Sequence, residues 1–238
     1  SAPGVSVAIS GEATLTMVRF DPLADAVTMA LNSRVVGLED AAIPLAIKTT
    51  SSDASETFNV TISGIPAGAT IVYGGTPLTI VGGSVTIANF SNSTPMTIAP
   101  PPNSNENFQL TVSAVSVDGT STSAPVSRTI DVSVTGVADT AMVTLPATSY
   151  SATESALDSV GGHKVALSDV VTSVTSHDND GSETVTLRIT GLAEGFSLTG
   201  ATTVVSGVGA ERVWMVPADK LADVSIVLPS NYSGTVNL

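Results

Sequence analysis

Apolar and polar residues alternate with a period of two along much of the chain. Val185, Leu187 and Ile189 alternate with Thr186, Arg188 and Thr190, which predicts a half-buried strand. The same period runs through Phe58, Val60 and Ile62, through Phe108, Leu110, Val112 and Ala114, and through Ile130, Val132 and Val134. Turn signals separate these runs, at Val117-Asp118-Gly119 (a predicted hairpin turn) and over Pro100 to Asn105. No helical period competes with them. Several short strands over ~110 residues predict an all-β chain of antiparallel β-sandwiches.

The pattern also repeats. Ala24-Asp25-Ala26-Val27-Thr28-Met29-Ala30-Leu31 resembles Ala138-Asp139-Thr140-Ala141-Met142-Val143-Thr144-Leu145, from 24 to 138, an offset of 114 residues. Glu39 corresponds to Glu154, an offset of 115. Ser55-Glu56-Thr57 corresponds to Ser182-Glu183-Thr184, an offset of 127, and each is followed by an alternating strand and by two glycines four residues apart (Gly64 and Gly68, Gly191 and Gly195). Pro101 to Leu110 parallels Pro229 to Leu238, an offset of 128. Four landmarks in one order predict tandem sandwiches over residues 24–137 and 138–238, the second with about a dozen extra residues around Gly161 to Ser176 and without a counterpart of Thr111 to Val137. Residues 1–23 resemble that missing end, since Leu15-Thr16-Met17-Val18 leads into Leu23-Ala24-Asp25 as Thr129 to Val134 leads into Val137-Ala138-Asp139. Two readings follow: residues 1–23 are the last strands of a preceding repeat, or they complete the C-terminal sandwich, within the chain or between chains.

Composition narrows the picture. Of 238 residues only 4% are aromatic and 12% charged, so the cores are expected to be thin and built from Val, Ile and Leu. Eight basic against 21 acidic residues give a net charge of −13, which argues against nucleic acid and anionic membrane as partners. Cysteine is absent, so no disulfide holds the fold together, and an extracellular β-protein of this kind points to calcium as the staple. No apolar run approaches the ~20 residues of a membrane-spanning helix.

The acids recur at three places: the repeat junction (Asp25, Asp139), the Glu39/Glu154 position, and the loop before the Ser-Glu-Thr strand. Calcium takes six to eight oxygens. Asp139, Glu154, Asp178, Asp180 and Glu183 form the candidate set of the second repeat; Gly181 permits a tight bend among them. Asp25, Glu39, Asp40, Asp53 and Glu56 form a poorer set in the first, where Ser51 and Ala54 stand for Asp178 and Gly181. The spacing is not that of an EF-hand, because the twelfth residue from Asp178 is Ile189.

Catalytic signals are weak. His163 and His177 are the two histidines, His177 reads as a loop residue, and no Gly-x-Ser-x-Gly elbow occurs. Trp214 and Tyr232 read as packing residues rather than a sugar platform, and Gly207-Val208-Gly209 is too short for a phosphate loop.

Four stretches together resemble the tandem immunoglobulin-like, cadherin-like repeats of giant bacterial repeats-in-toxin adhesins: Gly37 to Leu45, Ile62 to Thr70, Val134 to Asp139 and Asp178 to Thr184. The resemblance covers about residues 24–238. It implies a non-catalytic extender segment of a type I-secreted protein at the bacterial cell surface, with calcium stiffening the domain junctions, in the service of adhesion and biofilm formation. The implied partners are neighbouring repeats and a distal ligand-binding domain. The alternative within the same class is that this segment is itself a glycan- or peptide-binding module.

Overall fold

The computed structural model describes residues 21–147, 149–153, 163–178 and 181–238. Segments 1–20 and 154–162, with residues 148, 179 and 180, lie outside that description, and Glu154 and Asp180 of the candidate acids fall there.

The period-two pattern is realised as strands that turn alternate side chains into one of two cores. The first core is enclosed by β1 (Thr28–Leu31), β2 (Arg34–Leu38), β3 (Ile43–Pro44), β4 (Ile47–Thr50), β5 (Thr57–Ser63), β6 (Thr70–Tyr73), β7 (Thr76–Pro77), β8 (Ser84–Ile87), β9 (Met96–Ala99), β10 (Phe108–Asp118), β11 (Ser121–Thr122) and β12 (Val126–Thr135). One sheet has the order β2-β12-β10-β5-β8, with β11 paired to β10. The sheets β3-β9-β6-β7 and β1-β4 make up the rest of the sandwich. Pairing is antiparallel throughout, except that β2 runs parallel to β12, from Arg34 opposite Asp131 to Leu38 opposite Thr135. The hairpin expected at Asp118-Gly119 is the β10–β11 turn.

Leu110, Val112 and Ala114 of β10 and Ile130, Val132 and Val134 of β12 are all buried, as their alternation predicts. They meet Val60, Ile62, Ile71, Met96 and Ile98 in a core that holds one buried aromatic ring among the described residues, Phe90, stacked on Tyr73 at 5.6 Å. Each fully buried Val, Leu or Ile contributes about 1.5–3 kcal/mol, so the thin core draws its stability from many aliphatic contacts.

The second core is enclosed by β13 (Met142–Thr144), β14 (Lys164–Ala166), β15 (Ser173–Thr175), β16 (Thr186–Ile189), β17 (Ser197–Thr199), β18 (Thr203–Ser206), β19 (Val213–Pro217) and β20 (Ser225–Val227). Most of its pairings repeat those of the first, but β18 pairs with β19, whereas β7 pairs with β6. β13-β15 matches β1-β4, β14-β20-β17 matches β3-β9-β6, and β16-β19 matches β5-β8. The extra residues of this copy supply a short helix, α1 (Leu167–Val170), whose Leu167 is buried. Two 3-10 turns, Gly209–Glu211 and Ala218–Asp223, complete it. Among the described residues no strand stands where β10 and β12 stand in the first sandwich, and β16 is the outer strand of its sheet.

One backbone contact fixes the correspondence. Gly64 has φ +78° and its backbone lies against the Gln109 carbonyl; Gly191 has φ +84° and lies in the same way against the Asn237 carbonyl. Glycine is required at both because the left-handed conformation and the close approach each exclude a Cβ. Among the described residues no helix is long and apolar enough to cross a membrane.

Candidate functional site

The strand register separates the first-copy acids into two groups. Val117 of β10 faces Thr57 of β5, whereas Phe108 at the other end faces Val132 of β12. Asp25, Asp53 and Glu56 therefore gather at the Val117 end, and Glu39 and Asp40 lie at the Phe108 end, where the chain leaves for the second sandwich. Sequence spacing alone placed all five in one set.

At the Val117 end, Glu56 is buried, and its Oε1 accepts the Asp25 backbone N–H at 2.5 Å. Ser52 donates its hydroxyl to Asp25 Oδ2 at 2.5 Å, and the Ser116 hydroxyl donates to the Asp25 carbonyl. Asp53 Oδ1 accepts the backbone N–H and the hydroxyl of Ser55, both at 2.8 Å. Those bonds, the backbone one foremost, hold the exposed Asp53 carboxyl below its ordinary pKa of 3.8. The remaining oxygen of Glu56, Oε2, is buried and has no hydrogen-bond partner.

The junction repeats this arrangement. Glu183 Oε1 accepts the Asp139 backbone N–H at 2.5 Å, the same bond between the same repeat positions as Glu56 and Asp25. Asp178 Oδ2 in turn accepts the Glu183 N–H and the Ser182 hydroxyl, both at 2.9 Å. From the first sandwich, the buried Glu39 accepts the Val137 N–H through Oε1. The Glu39 N–H donates to the Thr135 carbonyl at 3.0 Å. Gly136 keeps this passage open, since a Cβ there would lie 3.0 Å from Asn105 Nδ2 and 3.7 Å from Glu39 Oε1. Asp40, at φ +54°, accepts the Asn103 N–H at 2.9 Å beside it. The connecting stretch 137–139 is thus gripped by one carboxylate from each sandwich.

Among the described residues no three acids or histidines gather closely enough to hold a metal ion by themselves. A calcium shell also draws on hydroxyls, carbonyls and water. The orphaned oxygen of Glu56, whose other oxygen holds the Asp25 N–H, fits a hard cation on that ground, because a buried carboxylate oxygen without a partner is costly unless a positive group meets it.

Three contributors escaped the sequence reading: Ser52, Ser116 and Asn105. Ser116 carried a usable signal. It continues the inward register of Leu110, Val112 and Ala114, yet is polar and has 0% exposure. Ser116→Ala is expected to lower stability by about 1–2 kcal/mol, because the Asp25 carbonyl loses its donor; a shifted urea midpoint with unchanged slope reads this out.

The aromatic candidates are structural. Trp214 is a buried core residue with the Arg212 guanidinium 5.6 Å from its ring centroid, and Tyr232 meets Phe196 edge-on at 4.8 Å. His177 is exposed.

No family model matches the sequence. No curated protein matches it. Among solved structures the chain is similar to a cohesin module from the Clostridium perfringens family 33 glycoside hydrolase, at 12% identity and a TM-score of 0.26, over 48% of this chain and 100% of that one. It is also similar to a marsupial T cell receptor, at 9% identity and a TM-score of 0.28, over 84% of this chain and 92% of that one.

Proposed function

We propose that this chain is a calcium-binding, non-catalytic spacer segment of a bacterial cell-surface adhesin, in which calcium at the domain ends sets the stiffness of a tandem array that carries a distal ligand-binding domain outward. The observation that supports it most is the repeated carboxylate bond, Glu56 to Asp25 and Glu183 to Asp139, together with the Glu56 oxygen that has no partner. Glu56, Asp25 and Asp53 would hold the ion at one end; Glu39, Asp139, Asp178 and Glu183 would hold it at the junction. When bound, calcium neutralises carboxylates that otherwise repel one another.

The chain's own residues supply the mechanical part. Glu39 and Glu183 hold a connector of three residues at its two ends, Val137 and Asp139, so the angle between sandwiches depends on whether both grips persist. Repulsion among the junction acids opposes this at a net charge of −13, and a cation removes the opposition.

The test is thermal unfolding and small-angle scattering of the whole chain in calcium and in chelator. Calcium is expected to raise the melting temperature and narrow the distribution of particle lengths, with stabilisation of about 2.7 kcal/mol at a hundred times the dissociation constant. Identical melting curves and scattering profiles in the two conditions would remove the reading.

A further inference from the structure

The largest sheet of the first sandwich ends at β2, whose outer edge pairs with no strand among the described residues. Its parallel ladder with β12 fixes which backbone groups face outward. The Ser33 carbonyl accepts the Asp131 N–H at 2.8 Å, and the Glu39 N–H donates to the Thr135 carbonyl at 3.0 Å. Alternate residues of a strand address the same neighbour, so residues 33, 35, 37 and 39 turn to β12. The N–H and C=O groups of Arg34, Val36 and Leu38 therefore point away from the sheet. The same three residues carry the strand's exposed side chains; Val36 is 61% exposed and Leu38 50%. An edge that offers both free backbone groups and apolar side chains is a template for another strand. The edges of the facing sheet are closed to such pairing, since β3 and β7 are each two residues long and carry Pro44 and Pro77.

We propose that this edge is covered by β2 of a second copy of the chain, running antiparallel, with Val36 against Val36 on a two-fold axis. Self-complementarity selects that occupant. With Val36 on the axis, Arg34 stands opposite Leu38 of the second copy, and Leu38 opposite its Arg34. All three outward residues then form hydrogen-bonded pairs, two bonds to each pair. Sliding the strands by two residues either way, the smallest slip that keeps outward groups together, leaves only two such pairs. On the exposed face Val36 packs on Val36, and each Leu38 packs on the methylene stem of an Arg34. Arg34 is the one charge of β2, and a charged edge residue ordinarily deters pairing. Here an acid meets it. Asp40, exposed and two residues beyond Leu38, lies diagonally across from Arg34 of the second copy, within reach of a long side chain. An uncharged apolar strand would leave that guanidinium unmatched.

The paired segments are five residues long, so the contact lies at the small end of specific interfaces and is weak. Because the same patch serves both copies, it closes at two. The two-fold axis also sets direction, since copies joined this way run antiparallel. On the spacer reading given above, that is how arrays projecting from two opposed surfaces meet, and weak contacts repeated along them add up. That consequence rests on the spacer reading. The pairing itself requires neither that reading nor calcium.

The experiment is sedimentation velocity of the whole chain in chelator, from dilute solution up to about 1 mM, the range that a weak contact demands. The mass is expected to climb with concentration and to level at two copies. Val36→Lys and Val36→Glu each set like charges face to face across the axis, and each alone is expected to dimerise about tenfold more weakly. Mixed one to one, the two variants are expected to pair with each other, because Lys then faces Glu. Val36 is exposed, so both variants are expected to melt with the unaltered chain. A chain whose melting ignores calcium but whose mass still doubles in chelator removes the calcium reading and keeps the pairing. The pairing is overturned if the unaltered chain stays single in chelator at every concentration, or if its mass climbs past two copies. It is overturned as well if either variant alone dimerises like the unaltered chain, or if the mixture stays single.

Discussion

Replacing Gly64 with alanine is expected to destabilise the first sandwich by about 3 kcal/mol, a large share of a typical domain's stability. Two costs act at once. The backbone is held at φ +78°, where a Cβ is strained, and a Cβ built there lies 2.5 Å from the Gln109 carbonyl oxygen. That oxygen belongs to the main chain of β10, so relief requires prising β10 away from β5, the pairing that places Leu110 and Val112 over Val60 and Ile62. Gly68→Ala is the informative comparison. Its φ of +89° imposes a similar strain, but the nearest atom to a Cβ is Pro101 Cβ at 3.4 Å, an ordinary contact. Gly68→Ala should therefore cost about 1–2 kcal/mol, from strain alone. Equal urea midpoints for the two variants would refute the claim that close approach of β10 is what demands glycine at 64.

The second large effect is a reversal of order. Glu56→Gln keeps the acceptor for the Asp25 N–H and replaces the buried, unpartnered Oε2 by a neutral group. In chelator the variant is expected to be more stable than the parent by about 1–2 kcal/mol, because an unsatisfied charged oxygen costs more than an unsatisfied amide. In calcium the parent is expected to overtake it, gaining about 2.7 kcal/mol at a hundredfold excess over the dissociation constant while the variant gains less. Chemical denaturation in both conditions measures the crossing. A variant that gains as much from calcium as the parent places the ion elsewhere; a variant less stable than the parent in chelator means that Oε2 is not a liability in the folded state.

Much of the fold was legible in the residues because a strand's period of two leaves little freedom. Once Leu110, Val112 and Ala114 share a face, that face must be buried, and the same logic sets Ile130, Val132 and Val134 opposite. The repeat was legible for a related reason. Glycines such as Gly64 and Gly191 hold a backbone conformation that other residues do not, so their spacing survives where side chains have drifted. The candidate acids were only half legible. Glu56 and Glu183 were identified as repeated, yet nothing in the spacing said that each would close onto the backbone of its own junction aspartate.

By itself, then, the sequence determined the all-β class, and it showed that landmark residues and acids recur along the chain, since periodicity and turn residues act locally and each strand declares its own inward face. Only the tertiary structure decided that Glu39 and Asp40 stand at the opposite end of the first sandwich from Asp25, Asp53 and Glu56, because that separation follows from β2 running parallel to β12, a long-range pairing that no local pattern encodes. Only the tertiary structure decided that Ser116 is a donor in the core, and that Val143 is half exposed where Met29 is covered. In each case the deciding quantity is which strand lies alongside, and strands that pair across a hundred residues are chosen by the burial of whole faces rather than by any one stretch of chain.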